Sequence, residues 1–365
     1  MENIMNRFLK VVGIIALIIV LVVGTVIGYL TVDEYKPQDV ETIAIEGNAQ
    51  KSASLGSPIR VMSWNVGYGA LGDNADFFMD GGRMVKSATK ERVYSNLTGI
   101  MKEVETVDPD ILFTQEMDRN STRSYFIDES EYLKTNSPAG VFNGQSAFAY
   151  NYKVAFVPLP VPPIGKVEAG LGLFSKYRLD SAVRLKLPCP FTWPLRTMNL
   201  KRCLEVSRVP ISDSDKELVL VNLHLEAYDD GEGKIAQTNM LRDILTAEYE
   251  KGNFVVAGGD FNQIFSGVDS GKYPPVGSAS WQPAVIDENI FGDGFNFYMD
   301  EDVPSCRSLD RPLDTAQSKD PADFQYYIID GFIVSKNIDV ENVYIEDLGF
   351  VSADHNPLIM DIRLK

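Results

Sequence analysis

The chain has 365 residues, 51 acidic and 34 basic, giving a formal net charge of −17 at pH 7, and 45% of its side chains are apolar. An acidic excess with no basic run argues against tight, non-specific nucleic-acid binding, which draws its affinity from Lys and Arg on phosphates. It leaves open a phosphoester site where a metal ion brings the positive charge, and the apolar share supplies a sizeable core.

Val11 to Leu30 reads VVGIIALIIVLVVGTVIGYL, without a charge. Twenty helical residues match the hydrocarbon thickness of a bilayer. Arg7 and Lys10 precede the stretch and Asp33 and Glu34 follow it. The positive-inside rule then puts residues 1–10 in the cytoplasm as a short tail and the rest outside. The expectation is a single-pass signal-anchor over 11–31 in the cell membrane. A cleaved signal peptide would carry a shorter apolar region and a small-x-small site, which Tyr29-Leu30-Thr31-Val32 does not offer. A core helix would rarely be apolar on all sides. Residues 32–58 are mixed and polar and read as a linker.

From Ile59 to Lys365 the chain alternates strand-like and helical runs. Strand candidates are Ile59–Val66, Ile111–Gln115, Leu171–Ser175, Leu218–Leu225, Phe254–Gly258, Tyr326–Val334 and Leu358–Ile362, several of them nearly continuously apolar, as buried strands are. Lys90–Thr106 and Lys234–Lys251 read as helices. This mixture predicts an α/β sandwich in one domain, with chemical groups at the strand ends. Of the three cysteines, Cys189, Cys203 and Cys306, none has metal-ligand spacing. A Cys189–Cys203 bridge across a hairpin competes with buried free thiols.

The strand ends hold the informative residues: Trp64-Asn65, Gln115-Glu116, Asn222-Leu223-His224-Leu225, Gly259-Asp260-Phe261-Asn262, Asp330-Gly331 and Ala353-Asp354-His355. A lone histidine is usually structural, and Gly-Gly-Asp after an apolar strand is often a mere turn. Here the chain's two histidines both sit beside acids and amides, and Asn262 falls on the same side of an extended chain as Asp260. Carboxylates and amides suit a hard cation, Mg²⁺ first, with Mn²⁺ or Ca²⁺ as alternatives. Glu116 is the leading ligand candidate, with the Asn65 amide oxygen and Asp354 beside it. The base for a water nucleophile is either Asp260, with Asn262 orienting the water, or His355, with Asp330 orienting the imidazole. His224 is placed to bond the phosphate or assist the leaving group.

In this order the motifs resemble the endonuclease/exonuclease/phosphatase superfamily, which includes pancreatic-type deoxyribonucleases, abasic-site endonucleases, bacterial sphingomyelinases and inositol-polyphosphate 5-phosphatases. The match runs from about Ile59 to Lys365. The resemblance implies a four-layer α/β/β/α sandwich and metal-dependent phosphoester hydrolysis. It implies Asn65 and Glu116 at the metal, Asp260 and Asn262 at water and phosphate, an Asp330–His355 pair, and His224 as a second catalytic histidine. One departure from the family pattern is Ala353, which separates Ser352 from Asp354-His355.

Gly67-Tyr68-Gly69-Ala70-Leu71-Gly72 matches a dinucleotide fingerprint literally, but no apolar helix follows it. The long stretch from Gly67 to Lys90 either covers the substrate or is a packed insertion. Arg119 and Arg123 are candidates to grip a phosphate oxygen, against surface ion pairing. The apolar, proline-rich run Leu187 to Leu195 either dips into the membrane interface or packs on its own domain. The expected enzyme is a monomeric, membrane-anchored phosphoesterase acting on a small or lipid-linked substrate. The competing functions are an extracellular nuclease and a catalytically dead binding module.

Overall fold

A computed structural model describes residues 2–137, 140–229, 231–277 and 281–365. Helix α1 (Glu2–Val32) is followed by β1 (Val40–Thr42), β2 (Glu46–Gly47), β3 (Pro58–Asn65), α2 (Lys90–Val107), β4 (Ile111–Asp118) and α3 (Glu129–Asn136). Then come β5 (Gln145–Val157), β6 (Gly165–Ser175), β7 (Ser181–Lys186), β8 (Cys203–Pro210), β9 (Glu217–His224), α4 (Glu232–Glu250) and β10 (Phe254–Asp260). The last major strands are β11 (Phe295–Tyr298), β12 (Asp330–Ser335), β13 (Ile338–Ile345) and β14 (Leu358–Leu364).

The strands form two seven-stranded sheets, ordered β1-β7-β8-β9-β10-β12-β11 and β13-β14-β3-β4-β6-β5-β2. Alternation along each strand shows how they stack. On β9, Leu218 and Leu220 enter the core between the sheets, while Val219, Val221 and Leu223 pack in a second core with Leu241 and Leu245 of α4. On β3, Ile59 and Val61 face the inter-sheet core, and Met62 and Trp64 pack with Val93, Leu97, Ile100 and Val104 of α2. A strand covered on both faces needs apolar residues at both parities, hence the near-continuous runs. The result is the four-layer α/β/β/α sandwich. Helix α2 starts on Thr89, whose side chain accepts the Arg92 N–H, a standard N-cap.

Two expectations need correcting. Residues 32–58 are folded onto the domain and do not form a free linker: β1 pairs with β7 and β2 with β5, covering backbone groups that would otherwise be bare sheet edges. Tyr326–Val334 is interrupted, with Tyr326–Tyr327 pairing to Cys306–Arg307 and only Asp330–Ser335 joining the sheet.

The inward-facing series on the central strands changes character at one end. On β9 it runs Leu218, Leu220, Asn222, His224; on β4 it runs Ile111, Phe113, Gln115. The Gln115 amide nitrogen donates to Asn222 Oδ1 at 2.8 Å, and Asn222 Nδ2 donates to the carbonyls of Thr114 and Gly172 and to Glu205. This buried polar bond closes the sandwich beneath the site. Gly259 is part of the closure: at φ +144° its missing Cβ would lie 2.0 Å from the Leu223 carbonyl oxygen and 3.2 Å from the Gln115 amide nitrogen. Gly259→Ala is therefore expected to destabilise the full chain by roughly 2–3 kcal/mol, seen as a lower thermal midpoint in detergent. An unchanged midpoint would contradict this account of the strand contact.

Candidate active site

Strand register brings the polar ends together. β3 and β4 are parallel with Asn65 beside Gln115. β9 and β10 are parallel with His224 beside Asp260, and β12 runs antiparallel to β10 with Asp330 beside Asp260. His355 arrives from the loop before β14, where the Trp64 indole N–H donates to its carbonyl at 2.9 Å. Glu116 sits at φ +53° where the β4–β6 ladder slips register. A bulge of this kind re-aims a side chain at the cost of local strain, and here it turns Glu116 toward Asn65.

Asp260 is the hub. Its Oδ2 lies 3.0 Å from Asn65 Nδ2, 3.4 Å from His224 Nε2 and 3.8 Å from His355 Nε2, and its Oδ1 accepts the Asn262 N–H at 2.8 Å. Asn65 Nδ2 also reaches Glu116 Oε1 at 3.2 Å. Asp330 Oδ2 is 2.7 Å from His355 Nδ1, fixing the ring with Nε2 toward Asp260. Glu116, Asp260, Asp354 and both histidines line one cavity of about 720 Å³, with Tyr68, Arg202 and Tyr228 among its other walls.

Burial and neighbours drive these groups apart electrostatically. Desolvation, with Asp330 adding repulsion, pushes Asp260 up to about 7 despite the opposing pull of His355. Asp354 is likewise pushed up to about 7, by burial and by Glu116. Burial works against charge on His355, but Asp330 and Cys306 outweigh it and hold the imidazole well above its ordinary value. His224 is held well below its ordinary value by burial and then by Arg202 and His355, so it stays neutral.

The donors fit a hard divalent ion. Asp354 Oδ1 is buried without a hydrogen-bond partner, and Glu116 is close enough to perturb Asp354. A buried carboxylate oxygen without a partner, with a second carboxylate beside it, calls for a cation. Cys306, Asp354 and His355 also cluster, but burial pushes the Cys306 thiol up to about 12, and a neutral thiol is a poor ligand. Asn65 is turned differently from the expectation: its Oδ1 accepts the Gly67 N–H at 3.1 Å, so its nitrogen faces the acids. That orientation leaves the carboxylates of Glu116 and Asp354, and not the Asn65 amide, to offer oxygens to a cation.

The two arginines fare unequally. Arg119 lies outside the cavity, paired with Asp128 at 3.0 Å and stacked over Phe148. Arg123 lines the cavity, but both its Nε and Nη2 bond Asp118, and its guanidinium lies 3.7 Å from the Tyr68 ring centre. Asn262 Nδ2 is held by the Leu225 carbonyl. The stretch from Gly67 to Lys90 both packs and covers: Leu71 and Ala75 are buried, while Phe77, Met79 and Asp80 line the cavity. Asp80 accepts the Tyr228 hydroxyl across the cavity at 2.8 Å.

Sequence reasoning missed Arg202, whose guanidinium donates to the His224 carbonyl and to Glu226, and Arg307, which donates to the carbonyls of Gly72 and Ala75. Neither stands in a motif or a periodic pattern. The three cysteines are free.

The profile of the Endonuclease/Exonuclease/phosphatase family matches residues 62–311. Among solved structures, the chain is similar to an endonuclease/exonuclease/phosphatase from Beutenbergia cavernae at 18% identity and a TM-score of 0.56, over 84% of this chain and 72% of that one. It is also similar to one from Bacteroides vulgatus at 15% identity and a TM-score of 0.51, over 85% of this chain and 100% of that one. The human Nocturnin catalytic domain, with bound sulfate, aligns at 16% identity and a TM-score of 0.50, over 88% of this chain and 97% of that one. No curated protein sequence matches the chain.

With Asp260 and Asp354 raised from 3.8 to about 7, the folded metal-free chain keeps protons that the unfolded chain has released. That contribution is complete below about pH 4 and is lost as pH rises through about 7. A cation held by Glu116 and Asp354 displaces the Asp354 proton, so its apparent affinity rises roughly tenfold per pH unit below about 7. Mg²⁺ is therefore expected to raise the thermal midpoint more at pH 8 than at pH 6. Equal shifts at both pH values would contradict the assignment.

Proposed function

The chain belongs to the endonuclease/exonuclease/phosphatase family, and on that premise we propose that it is a membrane-anchored, Mg²⁺-dependent phosphoesterase that hydrolyses its substrate by attack of water, with the catalytic domain outside the cytoplasm. The observation that carries this reading is the position of Asp260, raised to about 7 and within 3.8 Å of Asn65 and both histidines on the wall of a cavity large enough for a phosphoester.

The electrostatics divide the roles. A group near 7 is matched to taking a proton from water at neutral pH, so Asp260 is the base and not His355. The N–H of Asn262 and the Asn65 amide hold the two Asp260 oxygens in place. His355, kept cationic by Asp330, donates from Nε2 to a non-bridging phosphoryl oxygen, where charge on the transferring group is best stabilised. Neutral His224 turns Nε2 toward Asp260 at 3.4 Å, which holds its ring against the base in the cavity wall. Glu116 and Asp354 would hold the cation, which supplies Lewis acidity at the phosphoryl and leaving oxygens.

Anchoring is supported by α1. Its stretch Met5–Val32 has a mean hydropathy of 3.1 over its most apolar window, none of which is buried against the protein, and basic residues precede the span. The net charge of −17 favours a small or lipid-linked substrate over a nucleic acid.

The test is turnover by the full chain with Mg²⁺ on bis(p-nitrophenyl) phosphate, phospholipids, sugar phosphates and plasmid DNA. Asp260→Asn and His355→Ala are each expected to lower kcat by about 10²–10⁴-fold in a chain that still unfolds cooperatively. Full activity in either variant overturns the assignment of roles, and turnover confined to plasmid DNA would make the protein a nuclease.

A further inference from the structure

The catalytic domain does not hang from α1; it grips its end. Leu30 is buried with Val154, Val157 and Val167 of the β5–β6 hairpin, and Val26 and Ile164 pack on the same cluster. The Trp193 indole N–H donates to Thr31 Oγ1 at 3.0 Å, and the Ala155 N–H to Asp33 at 3.3 Å. Arg196 pairs with Glu34 at 2.9 Å. Val26 lies six positions before the end of the helix, about 9 Å along its axis, inside the charge-free run. The hairpin therefore packs beside the last turns of the span, so wherever α1 crosses a bilayer this part of the domain meets the lipid.

Its surface fits that position. The hairpin tip carries Leu159 and Val161 at 63% and 87% exposure, and the neighbouring loop carries Trp193 and Leu195 at 55% and 56%. Four large apolar side chains exposed around one helix end are costly in water and are the composition expected of a membrane interface, where Trp is favoured. The same two segments wall the cavity: Ile164 follows the hairpin tip, and Phe191 and Leu200 flank the Trp193 loop.

We propose that Leu159, Val161, Trp193 and Leu195 seat this face in the membrane interface beside α1, and that the cavity accordingly takes a phosphoester whose hydrophobic tail remains in the bilayer. The seating stands on the contacts of α1 and on these exposed side chains; the substrate class rests on the phosphoesterase reading. In this arrangement the headgroup reaches Asp260 and His355 past Phe191 and Ile164 without the tail leaving the lipid.

Two measurements on the full chain, reconstituted in phosphatidylcholine vesicles, test the two halves separately. The first is tryptophan quenching by phosphatidylcholine brominated on its acyl chains. Trp64 is buried and Trp281 lies in the cavity wall, so most of the quenching should vanish in Trp193→Phe. Identical quenching in wild type and variant, as when a second copy of the chain covers the patch, overturns the seating. The second is inhibition of bis(p-nitrophenyl) phosphate hydrolysis by hexadecyl phosphate in the vesicles against butyl phosphate in water. Hexadecyl phosphate is expected to be more potent by about tenfold or more, and Leu159→Asp with Val161→Asp should erase that advantage while leaving hydrolysis of the soluble ester unchanged. Equal potency of the two phosphates overturns the lipid-tailed substrate with the phosphoesterase reading intact. A wild type inactive on every phosphoester of the turnover panel defeats the phosphoesterase reading and the substrate class with it, while the quenching still decides the seating.

Discussion

Everything in this molecule depends on one constraint: the polar ends of two sheets must be buried against each other without orphaned hydrogen bonds. Inward-facing positions on β4, β9 and β10 are apolar for most of their length and become Gln115, Asn222, His224 and Asp260 at one end. Desolvating such groups costs several kcal/mol unless they are paired. The Gln115–Asn222 bond and the contacts of Asn222 to Thr114, Gly172 and Glu205 supply the pairing. Because β3 runs parallel to β4 and β9 parallel to β10, the reactive ends on each sheet point the same way. A site scattered over nearly the whole sequence thereby becomes a single wall.

The same burial sets the chemistry. In water the carboxyls would all be ionised near neutrality and the two histidines would titrate alike. In the sandwich, Asp260 and Asp354 are pushed up, His224 is pushed down and His355 is pushed up by its carboxylate partner. Separating titratable neighbours in this way lets one site hold carboxyls and imidazoles in different protonation states at one pH. The strain at Glu116 belongs to the same design, since a regular β4 would not turn its carboxylate toward Asn65.

The sequence made the centre of the fold legible because the central strands are covered on both faces. Val219 and Leu220 must both be apolar when α4 lies on one side and the second sheet on the other, and such runs stand out. The six motifs stood out for a related reason, as polar residues at the ends of apolar strands. What escaped is what depends on tertiary pairing. β5, β7 and β8 interrupt their apolar residues with polar ones, such as the buried Arg184, Glu205 and Ser207 that only the folded chain accommodates, and β1 and β2 are strands only because β7 and β5 offer them an edge. The chemistry of Arg119 was ambiguous from composition, and only its pairing with Asp128 removed it from the site. Arg202 gave no signal because its role is to hold the backbone of His224 across strands.

The acidic wall of Glu116 and Asp354 is the feature on which the chemistry depends, as a cation site. Calorimetric titration of the full chain with Mg²⁺ addresses this without assuming any substrate. One site per chain is expected, lost in Glu116→Gln and in Asp354→Asn but retained in Arg119→Ala. Undiminished binding in both carboxylate variants, or no binding in the wild type, would contradict it.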